Sequence, residues 1–144
     1  MSLDALYQEV ILEHNRRPRN SREMTDATAR VDQHNPLCGD ELTVWIRVGE
    51  DGTLSDASFK AAGCAISRAS ASLMTIAVKG KSREEALRLG ESFREMVTGK
   101  LDPAAAKGEL GSLVALGGVS RFPQRVKCAS MAWHALREAL GDAG

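Results

Sequence analysis

Apolar residues recur at three- and four-residue steps near both ends of this chain, which is the period of an amphipathic helix. The first stripe predicts a helix that Pro18 ends. It comprises Leu3, Leu6, Tyr7, Val10 and His14. The second stripe predicts a helix over residues 124–140, whose buried side comprises Ala129, Ala132, Trp133, Leu136 and Leu140.

Between these helices the pattern alternates, which is typical of strands packed on one face. Residues 41–48 carry apolar side chains at every second position, and residues 54–62 form the returning strand. Asp51-Gly52 between them is a strong hairpin signal. Small and β-branched residues predict a further strand at about 27–32, so the chain contains an antiparallel sheet of about three strands.

After residue 64 the helical period returns. A stripe over residues 66–77 predicts a helix that Gly80 closes. Ser82 and Glu85 have the spacing of a capping box, so a shorter helix is expected to begin there. Gly90 is expected to divide that helix from a further turn or two.

Residues 99–111 carry Pro103 and several glycines, and this stretch is expected to be the loosest, a mobile insertion. A short helix at residues 110–116, ended by Gly117-Gly118, is expected to follow. The fold class is therefore α+β: a small antiparallel sheet with helices packed on one face. Residues 1–144 are expected to form a single domain with an insertion around 99–122.

Composition narrows the function classes. The 144 residues are 43% hydrophobic and 26% charged, and 19 basic residues balance 19 acidic ones. This balance gives no electrostatic argument for nucleic acid or an anionic membrane as a partner. The first residues carry an acid and no basic region, so no signal peptide is expected. Three cysteines without a secretion signal indicate reduced thiols and a cytoplasmic location.

The three cysteines are the candidate chemistry. A single cysteine is most often a small core residue, but Cys38 lies in a turn and Cys64 at a glycine-flanked switch from strand to helix. Since a hairpin returns its two far ends to one place, Cys38, Asp40 and Cys64 should be neighbours. Cys128 lies in the first turns of the last helix. Three sulfurs and one oxygen suit a tetrahedral ion such as zinc, although the spacing is no zinc-finger pattern.

Other polar residues are weaker candidates. His14 continues an apolar face and His134 adjoins one, so both are expected to be structural. His34 is expected to be a solvated loop residue, with hydrogen bonding to a ligand as the alternative. Arg125 and Lys127 flank Cys128, where positive charge lowers a thiol pKa, but a solvated helix start explains them equally well.

Three motifs carry a resemblance to a known family. The chain resembles the U-type iron–sulfur cluster assembly proteins, and the likeness covers nearly its whole length. The motifs are Asn-Pro-Leu-Cys-Gly-Asp at 35–40, Phe-Lys-Ala-Ala-Gly-Cys-Ala-Ile-Ser at 59–67, and Arg-Val-Lys-Cys-Ala-Ser-Met-Ala-Trp at 125–133. The long stretch between Cys64 and Cys128, and Lys127 where scaffolds usually carry a histidine, are similar to the sulfur-transfer branch, SufU.

The resemblance implies a SufE/NifU-like fold, a zinc ion and a site. Cys38, Asp40, Cys64 and Cys128 would be the zinc ligands, and Cys38 would accept sulfur from the cysteine desulfurase SufS. The protein would stimulate that enzyme and work with other iron–sulfur assembly proteins. Two alternatives stay open: a scaffold that carries a transient iron–sulfur cluster on the same residues, and a structural zinc domain without chemistry.

Overall fold

The computed structural model describes residues 3–35 and 39–143. In this part of the chain, one helix is followed by three consecutive strands and then by the remaining helices, which confirms the predicted α+β fold. The elements are α1 (Leu3–Arg16), β1 (Ala29–Asn35), β2 (Asp40–Val48), β3 (Leu54–Ala62), α2 (Ala65–Val78), α3 (Arg83–Val97), α4 (Pro103–Leu110), a 3-10 helix (Gly111–Arg121) and α5 (Pro123–Ala143).

The three strands form one antiparallel sheet in the order β1-β2-β3, which confirms the predicted meander. The bounds of β3 match the prediction, and β2 begins one residue earlier than predicted. Strand β1 lies further along the chain than the predicted 27–32, because it pairs with β2 in register up to Asn35 opposite Asp40. Pairing with a neighbouring strand, rather than local propensity, sets where β1 ends.

The core lies between the sheet and the helices. Helix α5 packs against β1 and β2, while α2 packs against β3 and α5. Alternate residues of β2 enter this core: Val44 and Ile46 are fully buried and Leu42 is nearly so. On the opposite face Trp45 is buried beneath the Arg30 guanidinium, which lies 5.5 Å from the ring centroid.

Helix α3 runs unbroken through Gly90, so the predicted division there is wrong. The predicted capping box is confirmed: the Ser82 hydroxyl accepts the Glu85 N–H, and the Glu85 carboxylate accepts the Ser82 N–H. A Cβ at position 90 would lie 3.3 Å from Cε3 of Trp133. The glycine is therefore explained by the close approach of α5, and not by a chain break.

The stretch predicted to be loose contains helix α4, so that expectation is wrong. Asp102 caps the helix by accepting the Ala104 N–H at 3.2 Å, and Pro103 occupies the first turn, where a proline breaks no hydrogen bond. The following helix is a 3-10 helix that continues through the Gly117-Gly118 pair instead of ending there. Among the described residues, no helix is long and apolar enough to cross a membrane.

Two helical glycines give opposite predictions for stability. A Cβ at Gly117 would lie 2.4 Å from Cγ of Pro103, whereas a Cβ at Gly108 would meet no atom within 4 Å. We expect Gly117→Ala to lower the free energy of unfolding by about 1–3 kcal/mol through overpacking. Gly108→Ala, the matched control in α4, should raise it by up to about 1 kcal/mol. Urea unfolding of both variants tests this, and shifts of the same sign would contradict the packing.

Candidate metal centre

The β2–β3 hairpin brings Asp40 and Cys64 together, as predicted. Asp40 opens β2, and Cys64 follows the end of β3 as the N-cap of α2. The Cys64 backbone N–H donates to Oδ1 of Asp40 at 2.6 Å. A charged acceptor makes this a strong hydrogen bond that fixes the carboxylate against the chain reversal. Cys38, the predicted acceptor and fourth ligand, lies outside the described residues.

Gly63 makes this close approach possible. Its φ is +122°, and a Cβ at this position would lie 2.2 Å from Oδ1 and 2.9 Å from Cα of Asp40. No side chain fits in that space, so only glycine permits the carboxylate and the strand end to meet. The sequence indicated a turn at Gly63, but it did not show that Gly63 makes room for the Asp40 carboxylate.

Cys64 holds its sulfur at a helix N-terminus. Its Sγ accepts the Ile66 backbone N–H at 3.3 Å, and its backbone geometry is that of an N-cap. Cys128 lies in the second turn of α5 and is only 1% exposed, with its thiol 3.9 Å from the Gln124 carbonyl oxygen. Cys64 therefore lies at a helix N-terminus, whereas Cys128 lies one turn inside its helix.

Ligand atoms of Asp40, Cys64 and Cys128 all lie within 4.8 Å of one another. This spread is close to what one ion spans with bonds of about 2.0 Å to oxygen and about 2.3 Å to sulfur. Folding therefore brings together three of the four predicted ligands, from three separate elements.

The buried carboxylate is incomplete without a further partner. Asp40 is fully buried, yet its Oδ2 accepts no hydrogen bond from any described residue. Burying an unsatisfied carboxylate oxygen is costly, and native structures avoid it. A cation bound between this oxygen and the two sulfurs would remove the penalty, and the thiolate and carboxylate donor set suits zinc.

Two side chains border the sulfur atoms. The exposed Arg125 places Nη1 3.9 Å from Sγ of Cys64. Tyr7, the only tyrosine in the chain, lies close to the same groups. Burial raises the pKa of its phenol, against the opposing effect of the Arg125 charge. Sequence reasoning placed Tyr7 on the buried face of α1 but missed its proximity to the sulfurs. The signal in the sequence that could have indicated this proximity was the single aromatic hydroxyl on the apolar stripe of α1.

The remaining candidates lie outside the cluster. Lys127 is exposed, and no described hydrogen bond or ion pair joins it to the site. His14 is buried and bonds through Nδ1 to the Ser72 hydroxyl at 2.7 Å, and burial lowers its pKa. His34 is exposed on β1, 3.8 Å from Glu41, and His134 is exposed on α5. None of the three histidines joins the group of ligand atoms that the described residues form.

Comparison with known proteins agrees with this arrangement. The family model described as the NifU-like N-terminal domain matches residues 6–142. A Streptococcus pyogenes protein, named iron–sulfur cluster assembly scaffold protein IscU, is 45% identical over 138 residues, covering 96% of this chain and 84% of the relative. A Bacillus subtilis protein, named zinc-dependent sulfurtransferase SufU, is 42% identical over 139 residues, covering 96% of this chain and 92% of the relative.

A solved structure gives the same fold. The N-terminal part of a nitrogen-fixing NifU-like protein from Brucella abortus superposes with a TM-score of 0.85, covering 99% of this chain and 97% of that one. Its sequence is only 22% identical, so this likeness concerns the fold alone. The resemblance inferred from the three motifs is confirmed.

The role assigned to Gly63 can be tested against a second glycine of positive φ. Gly52 has φ +82°, and a Cβ there would meet no atom within 4 Å. Alanine at either position should cost about 1–2 kcal/mol of backbone strain. Only Gly63→Ala displaces the Asp40 carboxylate, so we expect it to weaken zinc binding at least tenfold, as loss of a positioning contact does. Competition with a chromophoric chelator measures this, and equal affinities in the two variants would contradict the assignment.

Proposed function

This chain belongs to the family of NifU-like N-terminal domains, and from that premise we propose that it is a zinc-dependent sulfurtransferase. It accepts persulfide sulfur from a cysteine desulfurase, SufS, and delivers it to iron–sulfur cluster assembly. The observation that carries the proposal is the convergence of Asp40, Cys64 and Cys128 around an unpartnered carboxylate oxygen. The name of the Bacillus subtilis relative supports it.

The proposed zinc ligands are Cys38, Asp40, Cys64 and Cys128. The last three supply the donor set just described, and Cys38 stands two residues before Asp40 in the sequence. When bound, zinc keeps its thiol ligands deprotonated at neutral pH and so holds a nucleophile ready. Asp40 is held in place by the Cys64 N–H, and the N-terminus of α2 favours the negative charge of Cys64.

Cys38 is the proposed acceptor. Its thiolate attacks the outer sulfur of the desulfurase persulfide, and a new sulfur–sulfur bond forms from its electron pair. The donor's sulfur–sulfur bond breaks, and the electron pair of that bond leaves with the desulfurase cysteine as a thiolate. The outer sulfur is thereby transferred without net oxidation or reduction, and Cys38 carries the persulfide.

Arg125 is a proposed positioning residue for this transfer. Its guanidinium is exposed and lies beside the Cys64 sulfur, so it contributes positive charge at the solvent side of the cluster. Negative charge is present on sulfur before and after the exchange. A fixed cation at this position would favour the approach of an anionic persulfide.

A scaffold that assembles a nascent iron–sulfur cluster is the second candidate, because the Streptococcus pyogenes relative carries that name. Both functions use the same ligands, so they differ in the bound metal and in the product that is transferred. A sulfurtransferase should hold one zinc firmly and stimulate the desulfurase. A scaffold should instead assemble a stable chromophoric cluster and hand it to a recipient protein. Metal analysis and a desulfurase assay on the untreated protein distinguish the two.

We expect Cys38→Ala to abolish stimulation of the desulfurase, because the accepting thiolate is lost. After incubation with the desulfurase and free cysteine, alkylation and peptide mass spectrometry should find one added sulfur on Cys38 of the unaltered protein. Cys64→Ser is the comparison, since it removes a thiol and a proposed zinc ligand while leaving the acceptor in place. Stimulation retained by Cys38→Ala, or added sulfur found on Cys64 or Cys128 alone, would overturn the acceptor assignment.

We expect Arg125→Ala to slow sulfur acceptance about fivefold to tenfold with no loss of zinc, because an exposed cation contributes about 1 kcal/mol to the stabilisation of a nearby charge. Arg125→Lys should recover part of the rate, and the defect should shrink as salt is added. Arg88→Ala, a change to an exposed arginine on α3, is the control. An equal loss in both variants would show that overall charge, not position, matters.

A further inference from the structure

A second site lies between α3 and α5, away from the sulfur cluster. The two helices enclose a cavity of about 180 Å³ that is open to solvent along one side. Its walls include Ala86, Leu87, Phe93, Trp133 and Leu136. Successive residues of a helix are rotated by about 100°, so Ser130, Trp133 and Arg137 face this cavity from the side of α5 turned away from Cys128.

Gly90 and Trp133 both line the cavity. Because a Cβ at position 90 would lie 3.3 Å from Cε3 of Trp133, the glycine lets the backbone of α3 approach the edge of the indole. Trp133 is only 7% exposed and is held by stacking on Phe93, with ring centroids 5.0 Å apart and an interplanar angle of 25°. The aromatic wall is therefore fixed by packing rather than formed on binding.

The size of the cavity suits one ring. An apolar cavity of about 150 Å³ takes up a benzene molecule, whereas sites for drug-sized ligands begin at about 300 Å³. A single aromatic ring, or a branched aliphatic group of similar volume, fits the space between α3 and α5. A nucleotide or a larger cofactor does not.

The rim of the cavity carries more positive than negative side chains. Its charged residues are Glu91, Arg94 and Arg137. Glu91 is neutralised by Arg94, whose Nη2 lies 3.0 Å from its Oε1. Among the described side chains, no carboxylate lies within ion-pair distance of Arg137, which leaves a positive charge at the mouth of an apolar cavity. Ser130, itself 8% exposed, adds a hydroxyl to the lining.

From these features we infer that the cavity between α3 and α5 binds a small aromatic carboxylate. The ring packs in the apolar space lined by Phe93, Trp133 and Leu136, and the carboxylate lies at the rim beside Arg137. This site is independent of the proposed sulfur transfer, since it shares no residue with the cluster of Asp40, Cys64 and Cys128.

Titration of the isotope-labelled, full-length protein with phenylbutyrate, followed by NMR, tests the inference. We expect the chemical shifts of the Gly90 amide and the Trp133 indole N–H to change with a sub-millimolar Kd. The chemical shifts of the Trp45 indole N–H and the Gly63 amide should stay constant. Phenylbutyramide, the neutral isostere, should bind about fivefold more weakly, because it loses the charge interaction. Zinc content should stay constant throughout.

Two variants complete the test. Arg137→Gln changes an exposed side chain. It should lower the affinity for phenylbutyrate to the affinity that the protein has for phenylbutyramide. Gly90→Leu fills the cavity and should lower binding of both compounds at least tenfold, and Arg137→Gln still decides the matter if Gly90→Leu does not fold. The inference is overturned if phenylbutyrate does not bind below millimolar concentrations or if phenylbutyramide binds equally well. It is also overturned if Arg137→Gln leaves the affinity for phenylbutyrate unchanged.

Discussion

The hydrogen bond from the Cys64 backbone N–H to the Asp40 carboxylate is the contact on which the candidate site depends. It joins the start of β2 to the residue that ends β3 and caps α2, so one interaction fixes a strand, a turn and a helix relative to each other. It exists because Gly63 leaves no atoms in the way. The second carboxylate oxygen remains buried and without a hydrogen-bond partner among the described residues, in a carboxylate that lies within 4.8 Å of two sulfurs.

Much of this arrangement is predictable from local sequence signals. The Asp51-Gly52 turn and the flanking alternation fix the β2–β3 pairing, and a hairpin necessarily returns Asp40 to the neighbourhood of Cys64. The capping box at Ser82 likewise depends only on residues three apart. Such signals succeed because the interacting residues are close in sequence, so the alternatives are few.

The features that the sequence predicted wrongly, or did not predict, depend on contacts between residues that are distant in the chain. Gly90 was expected to break α3, but the approach of Trp133 from α5 explains it. Residues 103–110 form a helix although they contain a proline and a glycine. The helix is possible because Pro103 falls in the first turn, which tolerates it. The position of Tyr7 beside the sulfurs and the cavity over Trp133 have no local signature. Each depends on how helices pack after the elements have formed.

Burial is uneven across the cluster, and this restricts how a partner can reach it. Asp40 and Cys128 are buried, whereas Cys64 is partly exposed and Arg125 is exposed. In the proposed function, a donor persulfide would meet this part of the cluster from the side of Cys64 and Arg125, where the N-terminus of α2 and a guanidinium both favour negative charge. The buried side holds the ligands in place, and the exposed side is electrostatically suited to the anion that the proposed reaction brings in.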